Sequence, residues 1–264
     1  MRTGIGILTV GLFVCSVLAS QPAKPAKLEK VAEGEFVNRL GGGEYEIRER
    51  WTLWRNLDGH YVVTGDVRTS PVGPAPARTL QYELRLSDAL KPLDIRLSYR
   101  EVKGASILFE FGDTELRYRA ERKDLVQPEE MTVPLAAPYT LFPGISWWQM
   151  GLLCREAKAP VGQPVSVRFV FMDDDPKQPI GVHPFEGSVE YVGEEEVDVG
   201  GRRLKASRFE VNPGWPVRAN DPGHGMTLWV LPEGLPTAAT SKDAGQVNVQ
   251  LVRYKKYAEF GPAK

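Results

Sequence analysis

The sequence predicts a mainly β protein: a single strongly curved antiparallel sheet, a half-barrel or open barrel of about ten to twelve strands, with one apolar helix packed on its concave face. Three observations predict it. Apolar and polar residues alternate with period two along most of the chain, as one-faced antiparallel strands require. Tight turns containing glycine separate the alternating runs, at Leu57-Asp58-Gly59, Gly112-Asp113 and Gly200-Gly201. One segment, "YTLFPGISWWQMGLLCREA" from Tyr139 to Ala157, breaks the alternation with a nearly unbroken apolar run.

The N-terminus stands apart from the fold. "MRTGIGILTVGLFVCSVLAS" has one basic residue, Arg2, then an uncharged apolar run to Ala19, then small residues. Residues 1–20 read as a secretory signal peptide. The run is shorter than the roughly 20 residues of a membrane-spanning helix. Val14 precedes Cys15 where a lipoprotein signal has a small residue, so ordinary cleavage after Ala19 or Ser20 is expected. Residues 21–34 then form a polar N-terminal linker, and 35–260 a single β-rich domain with no transmembrane span. The mature chain is therefore expected to be exported, to the periplasm or the extracellular medium.

Removing the signal leaves one cysteine, Cys154, which has no internal bridge partner. A domain of roughly 240 residues must then hold together by its core. The chain carries 33 Lys+Arg against 34 Asp+Glu. That balance gives no electrostatic case for nucleic acid or for an acidic membrane surface.

The elements follow in order. "YEIRERWTLWR" puts Tyr45, Ile47, Trp51 and Leu53 on one face, and Glu46, Arg48, Arg50 and Thr52 on the other. "RTLQYELRLS" and "PLDIRLSYRE" repeat the pattern through Leu80, Tyr82, Leu84 and Leu86, then Leu93, Ile95, Leu97 and Tyr99. "ASILFEFGDTELRYRA" reads as a hairpin. Ile107, Phe109 and Phe111 lead into its turn, and Leu116, Tyr118 and Ala120 lead out. "VSVRFVF" sets Val165, Val167, Phe169 and Phe171 inward. "SVEYVGEEEVDVGGRRLKASRFEV" is a hairpin about Gly200-Gly201, and its alternation slips between Ala206 and Phe209, which predicts a bulge there. "MTLWVLPEGLPTAA" and "QVNVQLVRYKKY" complete the series. Thr69–Ala77, Met172–Gly187 and Asn212–Gly225 read as loops. The triplet Glu194–Glu196 reads as an exposed edge or hairpin flank.

The apolar segment reads as a helix capped by Ser146. Ile145, Trp147, Trp148, Met150, Leu152, Leu153 and Cys154 point in nearly every direction around it, and Arg155 and Glu156 end it. A helix apolar all round is buried on most sides, here against the greasy face of the sheet. Two readings follow: plain core, or the lining of an apolar ligand pocket. The candidate pocket residues are Trp147, Trp148, Met150 and Leu152 of the helix, with Trp51, Phe109 and Tyr118 of the sheet.

The order of elements, with a "VGG-R-x-L-x-A-x-R-F" hairpin over Val199–Phe209 and a "LWV-x-x-x-G-L-P" hairpin over Leu228–Pro236, resembles uncharacterised secreted bacterial β-rich domains. These are similar in architecture to the LolA/LolB-like periplasmic lipoprotein carriers. The resemblance implies an incomplete barrel whose interior holds acyl chains, and a lipid or lipidated protein as partner. This chain has one helix where those carriers have several. No catalytic residues transfer.

The residues point away from an enzyme. His60, His183 and His224 are not spaced as metal ligands, and no cofactor is implied. Asp173–Asp175 lacks the alternating ligands of a calcium loop. There is no G-x-S-x-G nucleophile elbow. Gly41–Gly43 precedes a strand, not a helix, and is no phosphate cradle. Cys154 has apolar flanks and reads as a buried, inert thiol. Three function classes remain, in this order: a non-enzymatic module holding an apolar or amphiphilic ligand, a structural or partner-binding envelope protein with a packed core, and a hydrolase or metal enzyme using His224 and Asp221. The sequence leaves the oligomeric state open.

Overall fold

A computed structural model describes residues 28–40, 45–70, 79–99, 106–121, 129–142, 146–172, 181–214, 225–241 and 248–260. The signal peptide, Cys15, Gly41–Gly43, Asp173–Asp175, Asp221 and His224 lie outside the described residues. Along the chain run β1 (Glu29–Leu40), β2 (Tyr45–Arg55), β3 (Tyr61–Thr69), β4 (Thr79–Leu86), β5 (Pro92–Tyr99), β6 (Ser106–Phe111), β7 (Glu115–Glu121), β8 (Glu129–Pro134) and β9 (Tyr139–Phe142). There follow α1 (Trp147–Glu156), β10 (Pro164–Met172), β11 (Val182–Val199), β12 (Arg202–Asn212), β13 (Met226–Val230), β14 (Pro236–Ser241) and β15 (Asn248–Lys256). The described strands form one 15-stranded sheet in the order β8-β7-β6-β5-β4-β3-β2-β1-β15-β14-β13-β12-β11-β10-β9.

The sheet has more strands than the expected ten to twelve: β1, β3, β8 and β9 are not among the runs read by alternation, and β9 with four residues is too short to show it. The strict antiparallel expectation is corrected too. β9 runs parallel to β10, with Arg168 opposite Tyr139 and Phe171 opposite Phe142. Parallel neighbours need a crossover, and α1 is that crossover. The expected loop at Met172–Gly187 is shorter than read, since β11 begins at Val182 and pairs there with β10. The expected linker also yields residues to the sheet: Glu29 already pairs with Arg55.

The two outermost strands, β8 and β9, are consecutive in the chain, with only residues 135–138 between them. Such a link spans at most about 18 Å, whereas a flat sheet of fifteen strands is about 67 Å wide. The sheet is therefore curled until its edges approach. The link is tied to the β6–β7 turn, where Leu135 N donates to Thr114 O at 2.8 Å and Ala137 N to Asp113 O at 3.1 Å. The Tyr139 hydroxyl lies 3.0 Å from both Gly112 O and Glu115 O. No ladder joins β8 to β9 among the described residues, so the sheet stays unclosed.

α1 explains what the curl encloses. Ser146 caps it, accepting from Trp148 N at 3.2 Å. Every residue from Trp148 to Cys154 is buried. A ten-residue helix is only about 15 Å long, yet it touches strands far apart in sheet order. Trp148 packs edge-on against Trp51 of β2 at 5.0 Å. Arg155 Nη2 donates to Ala89 O and Leu90 O in the β4–β5 turn. Gly151 abuts the β13–β14 turn so closely that a Cβ there would stand 2.2 Å from Gly234 O. The expected helix against the inner face is thus present, and one continuous apolar cluster runs around it from Val31 to Phe260.

Turn chemistry matches the sequence. Gly200 and Gly201, both with positive φ (58° and 82°), form the two-residue β11–β12 turn that only such backbones close tightly. The expected bulge is displaced onto the partner strand, since the register shift falls between Tyr191 and Gly193 of β11, opposite Phe209. Glu194–Glu196 pair only with β12, the β10 ladder having ended at Glu190.

Candidate functional site

One inward-facing row organises the centre of the sheet. Register places Gly34, Trp51, Gly65, Tyr82 and Leu97 side by side across β1 to β5. Each glycine lies under its larger neighbour. A Cβ on Gly34 would stand 2.4 Å from Trp51 Cζ2, and one on Gly65 2.4 Å from Tyr82 Cε1. Glycine inside a strand often marks a close approach, and here the aromatic ring of the next strand makes it.

On the opposite, outer face β15 and β1–β5 form an open saddle of about 590 Å3. Gly34 and Gly65 line it with main chain alone and Trp51 and Tyr82 border it too, so the saddle lies directly over the glycine–aromatic row. Its side chains form two register rows. One runs Arg253, Glu35, Arg50, Asp66, Gln81, Ser98 from β15 to β5. The other runs Glu33, Thr52, Thr64, Glu83, Arg96 from β1 to β5. Charge alternates in sign along the first row.

Some of these groups are held. Glu35 is only 5% exposed, with Arg48 Nη1 at 3.0 Å and Arg50 Nε at 3.7 Å. Asp66 accepts from Arg68 at 2.9 Å. Glu33 takes hydrogen bonds from Lys30 and, at 2.7 Å, from the Tyr257 hydroxyl, and these hold its carboxyl below the usual range. Thr64 Oγ1 accepts from Trp54 Nε1 at 3.0 Å, fixing that half-buried ring beside a lining residue of the saddle. Arg96 and Arg253 have no carboxylate partner within 4.0 Å among the described residues.

A second polar cluster lies inside. Glu49 of β2 faces the interior and is 2% exposed. It accepts from the Tyr82 hydroxyl at 2.6 Å, the Ser146 hydroxyl at 2.6 Å and Trp147 N at 3.0 Å. Burial pushes its carboxyl up from the ordinary value, and the three hydrogen bonds oppose that rise. Sequence reasoning missed it. The sign was present: Glu49 falls on the apolar parity of β2, between Ile47 and Trp51. Its position at the N-terminus of α1 accounts for it, because orphan N–H groups there favour an acceptor and negative charge.

The expected pocket residues divide. Trp51, Phe109, Tyr118, Trp148, Met150 and Leu152 are buried members of the one core cluster, and Trp147 is half-buried against it. Trp51 and Trp148 meet, and Phe109 meets Tyr118 with ring centroids 5.7 Å apart. The indole nitrogens of Trp51 and Trp148 and both amide atoms of Gln149 are buried without a hydrogen-bond partner. His60 is exposed beside the β2–β3 turn, and His183 is exposed on β11 where a loop was expected. Cys154 is buried, which pushes its thiol up. Among the described residues no three His, Cys, Asp or Glu side chains gather as a metal site would require. No described helix is long and apolar enough to cross a membrane.

The fold defines a class, a β-barrel-like domain built from one long unclosed sheet around a single helix. A solved structure of this kind, the β-barrel-like protein of domain of unknown function DUF1849 from Brucella abortus, matches with a TM-score of 0.53 at 10% sequence identity, over 86% of this chain and 97% of that chain. At that identity the likeness is one of fold. Likeness to the LolA/LolB carriers does not emerge from it. No family model matches the sequence, and no curated protein matches it.

Proposed function

We propose that the chain is an exported, non-enzymatic binding module that takes its ligand in the polar saddle on the outer face of β15 and β1–β5, with the interior packed as core. The observation that carries this reading is the saddle itself. Its volume lies in the range of about 300–1,000 Å3 expected of ligand sites, and two of its guanidinium groups, on Arg96 and Arg253, have no internal carboxylate. Of the aromatic residues expected to line an apolar pocket, Trp51 also borders the saddle, while Trp51 with Trp148 and Phe109 with Tyr118 pack against each other, which fits a core.

A second reading keeps a lipid or lipidated partner within the half-barrel, as the resemblance to lipoprotein carriers implied. What favours it is the set of buried, unpartnered polar atoms on Trp51, Trp148 and Gln149. Such atoms are costly in an apolar interior, and an amphiphile's polar group would satisfy them once α1 moved aside.

One experiment separates the two. The mature protein, purified from its own envelope, is examined by native mass spectrometry beside a Gln81→Trp variant, whose indole fills the saddle. Both are then offered a fluorescent fatty acid. Polar material bound to the wild type and absent from the variant supports the saddle. Fatty-acid uptake equal in both moves the site to the interior. A protein that carries and takes up nothing is a packed structural or partner-binding protein, and both binding readings fall.

A further inference from the structure

Resting on the saddle reading above, we infer that its ligand is a short saccharide chain. Four carboxylates and three guanidiniums line the saddle, so its charge is nearly balanced. That is a poor match for a polyanion or a polycation, each of which would meet repulsion from about half of the charged groups.

The lining is instead matched to hydroxyls. Arg50, Arg96 and Arg253 only donate hydrogen bonds, Glu35 and Asp66 only accept them, and Gln81, Thr52 and Ser98 do both. A sugar hydroxyl both donates and accepts. Vicinal pairs of hydroxyls suit planar carboxylates, amides and guanidiniums that offer two atoms at once. Within each row successive side chains stand one strand spacing apart, about 4.8 Å, close to the length of one pyranose ring. Successive rings along the chain would therefore meet successive strands.

An extended peptide fits less well. The saddle lies over strands that each have a hydrogen-bonded neighbour on both sides, so no free backbone edge is available for an added strand. Beyond Trp51 and Tyr82 the lining is charged and polar, with no aliphatic side chain for alternate peptide side chains to pack against. Next to the lining residue Thr64, Trp54 is oriented by its hydrogen bond to that hydroxyl and offers a half-buried ring of the kind that packs against the C–H face of a sugar.

The test is titration calorimetry of the mature chain with three probes: cellotetraose, its N-acetylated counterpart chitotetraose, and an Asp-Lys-Asp-Lys peptide. Each is titrated into wild type, Gln81→Trp, and the Arg96→Ala/Arg253→Ala double variant. All substituted side chains lie on the outer face, and unchanged Tm values confirm that the fold is retained. Binding of a tetrasaccharide, weakened about tenfold or more in both variants, is the expected result. Binding of the peptide alone, with the same sensitivity to the variants, overturns the saccharide while the saddle stands. Saccharide binding of equal strength in all three proteins places the ligand elsewhere and overturns both. No heat with either saccharide overturns the saccharide assignment.

Discussion

The hydroxyl of Ser146 donates to Oε1 of Glu49 at 2.6 Å, joining the N-cap of α1 to the middle of β2 across ninety-seven residues of sequence. Tyr82 of β4 donates to the same oxygen, so two strands and the helix share one carboxylate. This contact fixes where α1 enters the curled sheet. It also sets a carboxylate on the apolar parity of β2, between Ile47 and Trp51.

Replacing Glu49 is therefore expected to have a pH-dependent effect. Burial raises the folded pKa above the ordinary 4.5. The folded chain then holds the proton more tightly than the unfolded one. The stability this contributes is fully present below about pH 4.5 and is lost as pH rises through the raised folded value. Glu49→Gln lacks that term. Urea unfolding of both proteins from pH 4.5 to 8 should show the wild-type advantage shrinking as pH rises. A constant difference would mean that the carboxyl titrates normally in the folded protein. Glu49→Ala should cost about 3 kcal/mol or more, since it orphans the Tyr82 and Ser146 hydroxyls and the Trp147 N–H.

The glycine–aromatic row makes a prediction about coupling. Gly34→Ala puts a Cβ 2.4 Å from Trp51 Cζ2 and 2.8 Å from Arg253 O. Overpacking of this kind costs about 1–3 kcal/mol, more than alanine gains over glycine in chain entropy. Phenylalanine at position 51 lacks the carbons that collide. The Gly34→Ala/Trp51→Phe pair should be destabilised by less than the sum of the single changes. Strict additivity in chemical denaturation would show that the ring does not rest on the glycine.

Most of the fold was legible because one-faced strands write their geometry into parity. The β6–β7 hairpin from Ile107 to Ala120, the Gly200-Gly201 turn and the Ser146-capped helix all appear where their residues place them. What parity could not reveal was pairing between elements distant in sequence. The parallel β9–β10 ladder depends on α1 acting as a crossover, and four residues of β9 are too few to announce a strand. The saddle was illegible for a related reason. Its arginines and carboxylates look like any solvated face, and only register brings Arg253 of β15 beside Glu35 of β1. Glu49 was legible in principle, as a carboxylate on an apolar parity.

Cys154 gives a direct probe of global opening. It lies fully buried on α1, and burial raises its thiol pKa. Both effects suppress the thiolate that reacts. A thiol reagent at pH 8 should label the native protein only as fast as the helix is exposed by unfolding, and addition of urea should raise the rate steeply. Rapid stoichiometric labelling in buffer would show that α1 leaves its site in the folded state, as an interior carrier would require.

Gly151→Ala sets helix propensity against docking. In an isolated helix the change is favourable by about 1 kcal/mol. Here the new Cβ would stand 2.2 Å from Gly234 O and 2.6 Å from Pro236 Cδ. Neither contact can yield easily. Gly234 sits at φ +88° in a turn closed by the Leu231 and Gly234 amides, and Pro236 starts β14. The helix must then lift from the β13–β14 turn, which draws Trp148 off the face of Trp51. Tm should fall, and the near-ultraviolet circular dichroism from the Trp51–Trp148 pair should weaken with it. A rise in Tm would mean that propensity wins and that α1 is not seated on this turn. Loss of stability with the tryptophan signal intact would mean that the turn, rather than the helix, gives way.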